Sequence, residues 1–239
     1  MTDLVLWGRA SSANLQKARW ALEETGAPFD LREVGGKFGG LDTPEFGAMN
    51  PNRLVPVLQH GDLTLWESHA VVRYVAAAFG GERFWPADPK ARAIIDQWTD
   101  WTVTTFQPAW LRLFWLLVRT APENHDKSAI DAALKQTVAA LRMMDAQLEK
   151  TDYLAGDAFS YADIVAGVSL YRLTSMEIDL PSLPGVEAWH GRLKERASFE
   201  KSVCISYEEL RARSVPCIKK GIPIKDAFFV LGRWRSSEA

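Results

Sequence analysis

Cysteine is almost missing from this chain: 239 residues carry two, Cys204 and Cys217, both near the C-terminus. So sparse a set makes no disulfide framework, and a reducing cytoplasm is the expected compartment. Histidine is scarce too, with four residues and no Cys/His cluster at ligand spacing, so no metal is expected. An excess of one charge is also lacking. Lys and Arg total 28 against 30 Asp and Glu, for a formal net charge of −2, which points to neither a nucleic-acid surface nor a polybasic membrane patch. No stretch approaches the roughly 20 apolar residues of a membrane span. The first residues lack the basic start and long apolar centre of a signal peptide. Repeats and low-complexity tracts are absent. What remains is ordinary globular composition, 47% hydrophobic, on a chain long enough for one large domain or two small ones. Tryptophan is the excess: ten copies of a residue that buries large area and lines interfaces and apolar pockets.

Leu4-Val5-Leu6-Trp7 reads as a buried strand. Leu15, Ala18, Ala21 and Leu22 recur at helical spacing, and Gly26 with Pro28 stops that helix. Phe29 to Val34 is a second strand, which completes a βαβ unit. After the glycine-rich loop from Gly35 to Gly40, Thr43-Pro44-Glu45 opens a short helix that Asn50-Pro51-Asn52 ends. Val55 to Gln59 and Leu63 to Trp66 form a hairpin about His60-Gly61-Asp62. Glu67-Ser68 then starts a helix to about Phe79, with Ser68 as its N-cap. Residues 1–80 therefore form a βαβ-α-ββα domain of α/β class. Residues 81–89, rich in glycine and proline, form a linker.

Residues 90–203 read as all-helical. A long helix from Lys90 to about Arg119 is kinked or broken near Pro108. A second, from Ser128 to Lys150, carries Ile130, Leu134, Val138, Leu141, Met144 and Leu148 on one stripe. A third opens on the capping box Ser160-Tyr161-Ala162-Asp163, with Phe159 and Ile164 placed as a hydrophobic staple. A fourth runs from Val186 to Arg196. Residues 204–239 form an extension of unclear structure, with a short helix from Tyr207 to Arg213 and an apolar, β-prone run, Phe228-Phe229-Val230-Leu231.

Between the first strand and the first helix, Gly8 to Lys17 packs small hydroxyl and amide side chains into one joint. Free backbone N–H groups and the helix dipole make such a joint suited to an anion. On the residues alone, Ser12 or Asn14 caps the helix, and Pro56 is an edge or turn proline or a cis one.

In this order, Ser12-Ala13-Asn14, Asn50-Pro51-Asn52 with Val55-Pro56, Glu67-Ser68 and the box from Ser160 to Asp163 resemble the cytosolic glutathione S-transferases. The likeness is to the bacterial theta-like and Nu-like group and covers about residues 4 to 200. It implies a thioredoxin-like N-terminal domain, an all-helical C-terminal domain, a homodimer, and glutathione as co-substrate. Val55, before a cis Pro56, would pair with the peptide backbone of glutathione. Ser68 and the free helix N–H groups would hold its γ-glutamyl carboxylate, and Glu67 its ammonium. Lys37 and Arg53 offer cations to its glycyl carboxylate, although the position directly before Val55-Pro56, basic in many relatives, is Leu54 here. Asp100 would reach the glutathione of the partner subunit.

The resemblance makes Ser12 and Asn14 the catalytic pair, with Ser11 as the alternative. A free thiol has a pKa of about 8.5. Donors to the charged sulfur contribute roughly 1.5–3 kcal/mol each, so one or two of them bring the thiolate to neutral pH without a general base. No cysteine lies within residues 8–17, which argues against chemistry through a protein thiol. The second substrate would be a small apolar electrophile in a site lined by Trp98, Trp101, Phe106, Trp110 and Trp115, with Arg112 nearby. The activity implied is thiolate conjugation in detoxification. A glutathione-dependent disulfide reductase on the same site is the alternative, and a non-catalytic binding protein of the same fold a third reading.

Overall fold

The computed structural model describes residues 3–212. Burial alternates along β1 (Leu4–Gly8), which turns Leu4 and Leu6 into the core. Its parallel neighbour β2 (Asp30–Glu33) requires a crossover, and α1 (Ala13–Thr25) supplies it. Gly26, left-handed at φ 70°, closes α1. On the other side β1 pairs antiparallel with β3 (Val57–His60), which turns back through a hairpin to β4 (Leu63–Trp66). The sheet order is β2-β1-β3-β4. Between β2 and β3 lies α2 (Pro44–Met49), where the Thr43 side chain accepts the Phe46 N–H. After β4 comes α3 (Ser68–Phe79). This is the expected thioredoxin-like βαβ-α-ββα order.

The linker is not plain loop. It holds one helical turn, α4 (Gly81–Phe84), whose Phe84 is buried edge-on against Phe159, 5.8 Å between ring centroids. Then follow α5 (Pro89–Trp101), a π-helical turn (Thr102–Phe106), α6 (Gln107–Leu117), α7 (Lys127–Leu148), α8 (Tyr161–Thr174), α9 (Pro184–Lys194) and α10 (Ala197–Val203). The long helix is interrupted as expected, but ahead of Pro108 and as a π turn. Pro108 has no N–H for the Thr104 carbonyl and its ring crowds that group, so the preceding turn widens.

Two expectations shift. The buried face of α7 centres on Ala133, Thr137, Ala140, Leu141, Met144 and Leu148, while Ile130, Leu134 and Val138 are only half-buried. Small residues face α6 and let the two helices approach closely. In the C-terminal extension, Glu208–Leu210 is a 3-10 turn rather than a helix from Tyr207 to Arg213. The run Phe228 to Leu231 lies outside the described residues.

Helix α8 is buried almost all round, as a central core helix is. A Cβ added to Gly167 would stand 2.7 Å from Leu193 and 3.0 Å from Trp20, so glycine sets how closely α1 and α9 approach α8. Trp20, fully buried on α1, lies 4.9 Å from Phe199 and 5.7 Å from Phe159. The α/β and helical regions thus share one core. Among the described residues, no helix is long and apolar enough to cross a membrane.

Candidate active site

The end of β1 and the start of α3 meet at a narrow cleft lined by Asn14, Asn50, Leu54, Val55, Pro56, Glu67 and Ser68. Gly8 permits this meeting: a Cβ there would lie 2.6 Å from Leu15 Cδ1 and 3.2 Å from Val55 Cβ. The Val55-Pro56 peptide is cis. The Asn50 carboxamide holds the approach to it, accepting the Asn52 N–H at 2.9 Å and donating to the Leu54 carbonyl at 2.8 Å.

Ser68 is not the N-cap of α3. Glu67 holds that position, with φ 70° and ψ 113° and no side-chain cap bond. Strand β4 runs into the helix through this single residue, and the reversal forces it into a backbone region that non-glycine residues rarely occupy. Such outliers persist where the surroundings hold them and cluster at functional sites. Ser68, buried, is the first helical residue, at the positive end of the helix dipole.

Ser12 is the N-cap of α1, its side chain accepting the Leu15 N–H at 3.4 Å. That contact uses the oxygen and leaves the hydroxyl proton. Two residues on, Asn14 faces the cleft, and beneath it sits Lys17, fully buried. The Lys17 ammonium contacts Asn14 Oδ1 at 3.2 Å, His69 Nε2 at 3.1 Å, and Gln107 Oε1. An ammonium only donates, so it fixes the Asn14 oxygen inward and leaves the NH2 end for the cleft. Burial lowers the Lys17 pKa to about 7, against the attraction of Glu67. Burial, then Lys17 and Arg73, lower His69 to about 2, which keeps it neutral and able to accept.

The Lys17 shift has a testable sign. Between about pH 7 and its ordinary 10.5 the unfolded chain holds a proton that the folded chain does not, so this group makes stability rise with pH across that window. Lys17→Met should flatten the rise, read as the denaturant midpoint against pH for both proteins. An unchanged slope would refute the assignment.

Ser11 belongs to a different corner. It is buried, accepts from Arg9 Nε at 3.2 Å, and donates to the Glu209 carboxylate; its carbonyl accepts Arg172 Nη2 at 2.9 Å. Lys37 Nζ, largely exposed, lies 3.9 Å from Glu209. Arg53, at φ 54°, spends its guanidinium on the Leu41 and Thr43 carbonyls, both at 2.9 Å. Within this chain Asp100 pairs with Arg73, which also binds Asp96 at 2.5 Å.

The expected aromatic lining is dispersed. Phe106 and Trp110 are core residues, Trp98 and Trp101 pack edge-on at 5.1 Å, Trp115 is exposed beside Arg119, and Arg112 is exposed. The aromatics nearest Ser11 are Phe114 and Tyr207, with the Arg172 guanidinium 5.7 Å and 4.6 Å from their ring centres. Arg9, Lys17, His69, Gln107, Phe114, Arg172 and Glu209 escape a sequence reading. A buried lysine three residues after Asn14 was the one local signal available.

A larger open concavity of about 540 Å³ lies elsewhere, among Glu23, Glu24, Arg192 and Arg196. Its charges are paired with one another, Arg196 on Glu24 and Arg192 on the Asp152 carbonyl, so it is a surface dent rather than a site. Among the described residues, no group of three or more His, Cys, Asp or Glu is placed to hold a metal.

A four-stranded mixed sheet with a cis-proline cleft, fused to a helical domain, defines the class of two-domain, thioredoxin-like thiol-binding proteins. The glutathione S-transferase N-terminal and C-terminal domain families match residues 2–77 and 106–197, and the chain belongs to the glutathione S-transferase family. It is 39% identical to glutathione S-transferase GstB of Escherichia coli over 204 residues, 84% of this chain and 98% of that protein. The theta class glutathione S-transferase of Xanthomonas axonopodis pv. citri, solved with glutathione bound, superposes with a TM-score of 0.83 at 42% identity, covering 87% of this chain and 100% of that one. Maize glutathione S-transferase I, in complex with an atrazine glutathione conjugate, superposes with a TM-score of 0.77 at 29% identity, over 84% and 96% of the two chains. The chain is a glutathione transferase in fold and family.

Proposed function

We propose that the cleft between Asn14 and Ser68 binds glutathione and ionises its thiol for attack on a small electrophile with an apolar body. The observation that carries this reading is the convergence of Asn14, Val55, Pro56, Glu67 and Ser68 on one cleft, from segments far apart in the chain. The γ-glutamyl carboxylate caps the free N–H groups at Ser68, and its ammonium meets Glu67. Asn14 is the donor to sulfur, its oxygen tied down by Lys17; Ser12, with a free hydroxyl proton, is the second donor. Lys37 serves the glycyl carboxylate, whereas Arg53 holds the loop before α2. The protein acts as a homodimer in the cytoplasm, in detoxification. Exposed Leu63, Ile94 and Val103 support an interface, and Asp100, on α5 with Ile94, is placed to meet the partner's glutathione.

Absorbance titration of the thiolate in the glutathione complex tests the chemistry. The bound thiol should titrate well below the free value of about 8.5; a value equal to that of free glutathione would sink the reading. Faster turnover of hydroxyethyl disulfide than of chloronitrobenzene acceptors would move the assignment to disulfide reduction. Glu67→Gln should raise the KM for glutathione about tenfold or more with little change in kcat, since a charge-assisted bond contributes roughly 1.5–3 kcal/mol. An unchanged KM would remove Glu67 from the ammonium site.

A further inference from the structure

One carboxylate, Glu209, sits among several cations beside the proposed thiol site. Arg9 Nε lies 3.8 Å from it and Lys37 Nζ 3.9 Å, while Ser11 Oγ donates to it directly. Arg172 is one residue's width away, its Nη2 on the Ser11 carbonyl at 2.9 Å. Arg119 and Arg172 are both lowered in pKa, first by burial, and each feels the positive charge of Arg9. Nearby, Glu208 is engaged by Arg211 at 2.8 Å and 3.0 Å and does not neutralise this corner.

Glu209 is carried by the C-terminal segment, beyond the last residue of the matched C-terminal family domain, residue 197. The segment is fastened by Tyr207 Oη on the Ser175 carbonyl at 2.8 Å and by the Ala212 N–H on the Val118 carbonyl at 2.7 Å. It lays Tyr207 over Phe114, 5.3 Å between ring centroids, directly next to Arg172. An apolar wall and a cationic corner therefore adjoin, two residues of β1–α1 joint away from Ser12. Buried or half-buried cations gathered at one corner are costly unless an anion meets them, and arginine is suited to a carboxylate in a forked pair. The side chain of Glu209 is 34% exposed, so a solute anion can reach the same place.

We propose that the electrophile taken by this transferase carries an anionic group, received by Arg9, Ser11 and Arg172 at the position that Glu209 occupies. The inference rests on the reading of the Asn14–Ser68 cleft as the thiolate site. Glu209 is then an internal stand-in for the substrate anion, and the segment that carries it closes the corner between turnovers. For a haloalkyl carboxylate the step balances simply. The thiolate sulfur forms a bond to the halogen-bearing carbon, that carbon–halogen bond breaks, halide leaves, and the carboxylate is unchanged on its cations.

The test uses two acceptors alike but for charge, iodoacetate and iodoacetamide, with halide release followed and each rate divided by its uncatalysed rate with glutathione. The wild-type chain should favour iodoacetate about tenfold or more. Arg9→Gln should abolish that preference while leaving iodoacetamide turnover and the KM for glutathione unchanged, and Glu209→Gln should raise kcat/KM for iodoacetate. If iodoacetamide is turned over with no preference for its anionic twin, the inference fails and the transferase reading stands. If Arg9→Gln instead raises the KM for glutathione and lowers both acceptors equally, the corner serves the glycyl carboxylate of glutathione and the inference fails. If neither acceptor reacts and the bound thiol titrates as free glutathione, the transferase reading falls and takes the inference with it.

Discussion

Asn14→Ala should raise the thiol pKa of bound glutathione by about 1–2 units and lower turnover at neutral pH roughly ten- to hundredfold. A bond to a charged acceptor contributes roughly 1.5–3 kcal/mol, and one pKa unit or one factor of ten in rate is about 1.4 kcal/mol. The expectation rests on the Lys17 contact, which turns the Asn14 oxygen inward and commits its NH2 group to the cleft. Thiolate absorbance against pH reads the shift directly. Ser12→Ala is the comparison. Its loss as N-cap should cost about 1 kcal/mol of stability. If it also shifts the thiol pKa while Asn14→Ala does not, Ser12 is the donor and the assignment to Asn14 is wrong.

Asp163→Ala should cost about 3–5 kcal/mol of stability, the scale of breaking a buried charge and orphaning its donors. The Asp163 side chain is fully buried and accepts four hydrogen bonds. These come from the Ser160 N–H at 2.8 Å, Ser160 Oγ at 2.9 Å, the Leu154 N–H at 3.0 Å and Trp189 Nε1 at 2.9 Å. One carboxylate thus ties the start of α8 to the preceding loop and to α9. Burial pushes its pKa up against the pull of these bonds. Alanine leaves buried N–H groups on three segments with no acceptor. Denaturant unfolding measures the loss; a change below about 1 kcal/mol would mean that water replaces the carboxylate. The thiol pKa in the folded variant should match wild type, because Asp163 touches no residue of the cleft.

Much of this was local, and therefore legible. The capping box at Ser160, the cap at Thr43, the glycine stop at Gly26 and the hairpin about Gly61 depend on neighbours within four or five residues. Even the errors were small displacements of local rules. Ser68 has the side chain of an N-cap, but the reversal after β4 falls on Glu67. Pro108 breaks its helix, but the helix yields one turn earlier. In α7 the larger apolar residues suggested the buried stripe, whereas close packing on α6 selects the smaller ones.

The sequence by itself determined the two-domain order, the βαβ-α-ββα frame, and the segments that bring Asn14, Val55, Pro56, Glu67 and Ser68 to one cleft. Each rests on periodicity, turn chemistry or a motif contained in a short window. Only the tertiary structure decided how the residues of the joint divide. Lys17 reaches His69 and Gln107 across 52 and 90 residues, and so orients Asn14. Arg172 and Glu209 reach Ser11 across 161 and 198 residues, and so draw it into a cationic corner. A charged side chain announces nothing about its partner in the pattern of its neighbours. Which charges meet is decided when helices pack and water leaves, and a buried ion must then find its counterpart wherever the fold has placed it.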